Sequence, residues 1–454
     1  GDRLVDRSLR DQALFEYFLY DFIPAPHTIF RDAYKLPAAH LAVFDAEGLH
    51  VRRYWRAPLP ERDNAGNSEE QELRELMHDA VRLRLISDVP LGSFLSGGID
   101  SSLVTALMTR FASGNVKTFS ISFPGTTHDE SAWSRLAADF LHTRHSEFPV
   151  AYGLEGLFPE MVGHFGEPFG DSSAVPTWHL CKATRTQVTV ALSGDGGDEL
   201  FGGYDRYIAR RVQVMYDMIP RRVRQHVIEP LVDRLPATTD YYGTSLSKKL
   251  KLFVSSCRRM RETPLAVVPR TFSREDVTTL LASDYREDAD PVLEAAREWV
   301  GLDPVSHMMA ADRETYLGED ILTKVDRMSM AHALEVRSPL LDYRIVEFAA
   351  RLPLQAKVRG FTTKSILREV AREYVPQAIL RRSKYGFQVP LGEWFKGSLK
   401  GWAHQRLMDQ RHDLVNRKVV ADIWKEHQEG RADHAHKIWL LLVFNEWHAQ
   451  MMQS

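Results

Sequence analysis

The feature that most constrains this chain occurs twice: an apolar run, then a glycine-rich turn, then a helical pattern. The first copy runs from Val89 to Leu95 into Ser96-Gly97-Gly98-Ile99-Asp100-Ser101-Ser102. The second runs from Val188 to Leu192 into Ser193-Gly194-Asp195-Gly196-Gly197-Asp198-Glu199. Short, continuously apolar segments suit strands buried on both faces, which belong to parallel sheets. Parallel neighbours need a crossover, usually a helix, and the residues between the runs alternate helical and extended patterns. The expected fold is therefore α/β, a doubly wound and mainly parallel sheet, with strands at Val89 to Leu95, Val116 to Phe123, Ser146 to Val150 and Val188 to Leu192. In such sheets ligands sit beyond the carboxyl ends of the strands, so both turns can face one crevice.

A turn of this kind points several backbone N–H groups at one place and opens the N-terminus of a helix, which together attract phosphate. The pattern is not the phosphate loop that ends in Gly-Lys-Ser/Thr. Its fixed charge is Asp100, and a carboxylate beside a polyphosphate implies an intervening divalent cation. Asp100 and Asp198 are thus candidate Mg²⁺ ligands, leaving Asp195 for the reacting end of the nucleotide. Read alone, Gly97-Gly98 could also be an ordinary turn with Asp100 or Ser101 capping the helix.

The two loops, with Glu167-Pro168-Phe169-Gly170-Asp171-Ser172-Ser173, Asp326-Arg327-Met328-Ser329-Met330-Ala331, Leu334-Glu335-Val336-Arg337-Ser338-Pro339-Leu340-Leu341-Asp342 and Arg381-Arg382-Ser383-Lys384-Tyr385-Gly386-Phe387, resemble the glutamine-dependent asparagine synthetases and their amide-forming relatives. The resemblance covers nearly the whole chain. It implies an ATP-dependent ligase that adenylates aspartate at the β-carboxyl with release of pyrophosphate, after which ammonia displaces AMP to give asparagine. It implies Asp195 and Lys384 as catalytic groups, and Ser96, Gly97, Gly98, Asp100, Ser101 and Ser102 around the phosphates. Leu95, Ile121, Ser193 and Gly194 fall at the base-binding positions, where Ile121 could equally be plain strand core. Lys324 and Arg327 are candidate substrate contacts. ATP and Mg²⁺ are the expected cofactors, aspartate with ammonia or glutamine the substrates, and a homodimer the expected assembly of the intact protein. Relatives with the same adenylating core act on other carboxylates: they amidate cell-envelope or polysaccharide components, or close lasso peptides or β-lactam rings. A more remote alternative is an adenylating enzyme that modifies tRNA.

The front of the chain departs from that pattern. Family members that hydrolyse glutamine use a cysteine at the mature N-terminus, whereas this chain starts Gly1-Asp2-Arg3 and has only Cys181 and Cys257. No intrinsic glutaminase activity is expected, and residues 1–60 read as the tail of a truncated glutaminase domain, with a hairpin around Ala46-Glu47-Gly48. A polar linker from Pro60 to Ser68 follows, with Ser68 a possible helix cap. Residues 69–454 form the synthetase region, an α/β core over about 69–235 and a mainly helical part over about 236–454.

The 454 residues, 44% hydrophobic and 26% charged, suffice for a large core and leave no reason to expect disorder. A formal net charge of −3 gives no electrostatic footprint for nucleic acid. No apolar run reaches the roughly 18 residues of a membrane span, and no leader is visible, so a cytoplasmic location is expected, although Gly1 stands where a Met would begin a natural chain. His427, His434, His436 and His448 lack matched carboxylate or thiolate spacing and read as surface or helix-end residues. Asp320 and Lys324 read as an i,i+4 surface pair, Glu335 and Arg337 as a structural pair within the core, and Arg381-Arg382-Ser383-Lys384, without the resemblance, as a solvated basic turn.

Overall fold

The computed structural model describes residues 6–60, 67–112, 114–124, 126, 129–150, 154–235, 246–262, 271–281, 290–382 and 389–451. Strands β1 (His40–Asp45) and β2 (Gly48–Arg53) form the expected antiparallel hairpin. The remaining strands are β3 (Leu91–Phe94), β4 (Lys117–Ser122), β5 (Arg144–Pro149), β6 (Val190–Leu192) and β7 (Glu335–Arg337). They pair in parallel in the order β5-β4-β3-β6-β7. The chain lays β3, β4 and β5 outward in one direction, then returns to place β6 on the other side of β3. The strand order therefore reverses between β3 and β6, and a crevice opens at that point beyond their carboxyl ends.

Alternation along the strands explains the two-sided core. Phe119 and Ala191 belong to the larger apolar cluster, whereas the next residue after Ala191, Leu192, packs into a second cluster with Leu95 and Leu103. The helices Asn67–Arg84 and Ile99–Phe111 cover that second face, and Ala174–Arg185 covers the first. Both faces of the central strands are buried, so even the polar residues that alternate along β4, Thr118, Ser120 and Ser122, are enclosed.

Several expectations need correction. The fifth strand, Glu335–Arg337, comes from the region read as mainly helical, so the sheet spans that boundary. Arg337 does pair with Glu335 at 2.6 Å, but at the sheet edge rather than in the core. Arg337 also donates to the carbonyls of Arg84 and Ile86, both at 2.8 Å. Ser68 lies within the first turn of helix Asn67–Arg84 rather than capping it. Helix Pro304–Glu314 is followed by a π-helical wide turn over Leu317–Leu322, which runs on into helix Thr323–Met330. Helix Asp11–Tyr20 has every residue but the first buried in the main core, against helix Ala435–Met451. There Tyr17 donates to the Leu440 carbonyl at 2.8 Å, and the rings of Phe18 and Phe444 meet edge to face at 5.5 Å. The segment 6–37 is in this way built into the body of the molecule. The histidines are not all superficial, since His427 is completely enclosed. Among the described residues no group of His, Cys, Asp and Glu is arranged to hold a metal through three or more ligands.

Candidate active site

The first turn leaves β3 at Leu95, whose N–H is held by the Phe119 carbonyl at 2.9 Å. Gly97 has φ +70°, and a Cβ there would lie 2.5 Å from the Trp133 carbonyl oxygen and 2.7 Å from the Ser134 nitrogen. Only glycine suits both the left-handed backbone and the packing. Ser96 and Ser101 bond each other through their hydroxyls at 3.0 Å, and Gly98 N–H donates to the Ser96 hydroxyl at 3.3 Å. Arg382 donates to the carbonyls of Gly97 at 2.9 Å and Ser96 at 3.3 Å, pairs with Glu130 and lies 5.0 Å over the Trp133 ring. With its side chain only 7% exposed, Arg382 fixes the turn rather than forming a solvated basic run. Lys384 lies outside the described residues.

The second turn leaves β6 at Ser193, whose N–H donates to the Arg337 carbonyl and whose hydroxyl meets that of Ser338, both at 2.9 Å. The two turns touch through glycines. A Cβ on Gly194 would stand 2.7 Å from the Ser101 nitrogen, and one on Gly197 would stand 2.6 Å from Asp100 Oδ1. This close approach puts Asp100 and Asp198 on either side of one cation, the ammonium of Lys364. Lys364 Nζ donates to Asp100 Oδ2 and lies 2.7 Å from Asp198 Oδ1. Burial alone would lower the Lys364 pKa, but the two carboxylates outweigh it and hold the ammonium charged.

A second buried lysine lies on the Asp195 side of the turn. Lys324 Nζ pairs with Asp171 Oδ2 at 2.6 Å. Asp171 also accepts from Ser173 N–H at 2.9 Å and Ser173 Oγ at 2.7 Å. Burial would raise Asp171, yet Lys324 and Ser173 bring it below the usual carboxylate range. Asp320 shares the cluster and is pushed well above that range by burial and by the charge of Asp171. Both Asp320 and Lys324 are buried, so their expected role as a surface pair does not hold. The wide turn over Leu317–Leu322 carries Asp320 inward with Lys324. Asp195 is raised by burial, against the opposing pull of Ser193 and Lys324.

Of the residues expected around a nucleotide, Ser96, Gly97, Gly98, Asp100, Ser101, Ser193, Gly194, Asp195 and Asp198 lie on these two touching turns. Leu95 and Ser102 are fully enclosed, and the Ser102 N–H is used by the Gly98 carbonyl at 3.0 Å. Ile121 is 8% exposed within β4. Arg327 is exposed on the helix that carries Lys324. Sequence reasoning missed Lys364 and Asp171, the former in Thr362-Thr363-Lys364 just before a helix, the latter inside a quoted motif but given no role. Cys181 is buried, and burial with the nearby Asp195 charge pushes its thiol up, away from thiolate formation.

Two carboxylates sharing one cation across the crevice supply hard oxygen donors suited to Mg²⁺. A sequence model described as "Asparagine synthase" matches residues 72–449. The chain belongs to the asparagine synthase family. It is 29% identical to "Asparagine synthetase [glutamine-hydrolyzing] 1" of Bacillus subtilis over 98% of this chain and 69% of that protein. It is 31% identical to a "Putative asparagine synthetase [glutamine-hydrolyzing]" of Mycobacterium tuberculosis over 98% of this chain and 68% of that one. A more distant similarity, 25% over 93% of this chain and 66% of the relative, is to "Amidase chry2" of Gibberella zeae. Membership makes the chain a carbon–nitrogen ligase that uses ATP for amidation of small molecules. Among the described residues no helix is long and apolar enough to cross a membrane.

Proposed function

We propose that this chain activates the β-carboxylate of aspartate as an acyl-adenylate and transfers ammonia to it, yielding asparagine, AMP and pyrophosphate. The observation that carries the reading is the division of the crevice by one tight turn. Asp198 pairs with Lys364, while Asp195, three residues earlier, lies within electrostatic reach of Lys324. One side suits the leaving pyrophosphate and the other the acceptor.

The aspartate carboxylate oxygen attacks the α-phosphorus, and the bond from that phosphorus to the bridging oxygen of pyrophosphate breaks. N–H groups of the Ser96–Ser102 turn and the Lys364 ammonium offset the charge growing on the departing group, a form of preorganised electrostatic stabilisation. When bound, Mg²⁺ held by Asp100 and Asp198 would add Lewis-acid neutralisation of the phosphates. Ammonia then attacks the acyl carbon and AMP leaves. Asp195, raised by burial, is suited to accept the proton released from the attacking nitrogen. Lys384 is proposed as a second cation near the α-phosphate. Lys324 and Asp171 are proposed to fix the amino and carboxylate groups of the substrate, with Arg327 a weaker candidate at the rim.

Both cysteines are buried, so the chain by itself is proposed to use free ammonia. The glutamine-hydrolysing names of its relatives support glutamine as the donor in a complete protein. Pyrophosphate release from Mg-ATP with aspartate and ammonium tests the reading. Aspartate-dependent release with asparagine formed from ammonium but not glutamine is expected. A folded, ATP-binding chain without aspartate-dependent release would transfer the proposal to another carboxylate.

A further inference from the structure

Against the helix Gly197–Phe201 lies a pocket lined by Lys357, Arg313, Trp299, Ser306, Pro58 and Glu199. Lys357 is only 8% exposed, with Arg313 and Asp303 as its charged neighbours. The Nε and Nη2 of Arg313 and the indole N–H of Trp299 are buried without hydrogen-bond partners, and the nearest carboxylate oxygen to Arg313 Nη2, on Glu314, is 3.7 Å away. Arg313 and Arg56 lie over the Trp299 ring at 4.9 and 5.0 Å, adding positive charge to the same wall. A buried ammonium beside a buried guanidinium is unfavourable unless an anion offsets their charge.

The neighbouring carboxylates are shared with other groups. Asp303 caps helix Pro304–Glu314, accepting from Val305 N–H at 3.0 Å and Ser306 N–H at 3.1 Å. Glu314 is shared between Arg53 at 2.9 Å and Arg313 at 3.7 Å, and Glu199 accepts from the Tyr204 hydroxyl. Burial and Arg313 push the Lys357 pKa down to about 7, only partly opposed by Asp303. The pocket offers about 20 Å³ of space for the centres of water-sized occupants, enough for water or a small oxyanion.

We propose that this pocket is a binding site for a small oxyanion, phosphate or a compact carboxylate, held by Lys357 and Arg313 with the Trp299 N–H as a further donor. The site is separate from the nucleotide turns, although its floor at Glu199 and Leu200 belongs to the short helix that carries Asp198. It does not depend on which carboxylate the enzyme activates.

The test titrates inorganic phosphate against the whole chain while α,β-methylene-ATP and Mg²⁺ fill the nucleotide site, at constant ionic strength, following the melting temperature. A saturable rise is expected, at least tenfold weaker in Lys357→Met and in Arg313→Gln. Acetate in a parallel arm separates the sources: a response to phosphate alone, or to acetate as well, supports the site and identifies its preferred oxyanion. Absence of a saturable response to both anions, or an undiminished response in both variants, overturns it. Should Arg313→Gln fail to fold, Lys357→Met still decides, because it removes a buried charge and should be at least as stable as the parent without anion.

Discussion

Replacing Gly194 by Ala isolates the contact between the two turns, because its backbone lies outside the left-handed region and only space is at stake. The added Cβ would sit 2.7 Å from the Ser101 nitrogen, 2.9 Å from Asp100 Cβ and 3.0 Å from the Asp100 carbonyl carbon. These are backbone and near-backbone atoms that cannot rotate away, so the turns must separate by roughly 0.7 Å to reach ordinary van der Waals contact. Overpacking of this kind costs about 1–3 kcal/mol of stability. The larger effect should be catalytic, since Asp100 is displaced from Asp198 and Lys364, and a misplacement near 1 Å costs on the order of 100-fold. Gly194→Ala should remain folded while pyrophosphate release, measured as kcat/KM for ATP, falls by roughly 30- to 100-fold. Gly98→Ala is the stability control. It has φ −82°, and its nearest neighbour would be the Ser96 hydroxyl at 3.3 Å, so its stability should stay within about 1 kcal/mol of the parent. A Gly194→Ala protein with turnover within about threefold of the parent and an unchanged melting temperature would refute the contact.

Two further outcomes follow from buried charges. Lys364→Met leaves Asp100 and Asp198 facing each other without their shared ammonium and should cost up to about 3 kcal/mol; millimolar Mg²⁺ should then raise the melting temperature of the variant more than that of the parent, and an equal response in both would remove these carboxylates from the cation site. His427, enclosed and pushed down to about 4 mainly by burial, stays neutral in the folded protein while an unfolded histidine titrates near 6.5. Stability should therefore be intact above pH about 6.5 and fall by up to ~3 kcal/mol as the pH drops towards 4. Urea unfolding of the parent and His427→Gln between pH 7 and 4.5 checks this, and parallel curves would show that His427 does not set the acid sensitivity.

The sheet and both turns were legible because continuous apolar strands and glycine turns are local signals that tertiary structure cannot easily override. β7 was not, since Glu335-Val336-Arg337 offers one apolar residue and becomes a strand only by pairing with β6. The acidic groups at the turns could be named for the same local reason, whereas their cationic partners could not. Lys324 reads as one half of a surface pair until the wide turn before it is known, and its real partner, Asp171, is 153 residues away. Helix Asp11–Tyr20 was missed because its apolar residues face all directions, a pattern that makes sense only once it is seen enclosed in the core.

Lys364 shows how far a sequence can mislead when strain is involved. It precedes helix Ser365–Ala371 with φ +54° and ψ +39°, a left-handed conformation that a long side chain normally avoids and that glycine or asparagine adopts more readily. Such a conformation costs of order 1–3 kcal/mol and persists only where surrounding contacts fix it. Here the contacts are visible: Asp100 and Asp198 hold the ammonium from two different loops, and a Cβ on Gly203 would collide with Asp198 and with the Lys364 side chain. A glycine at 364 would relieve the backbone but remove the ammonium that the two carboxylates share. The strained lysine is therefore better explained by the charge it delivers between the turns than by the helix it begins.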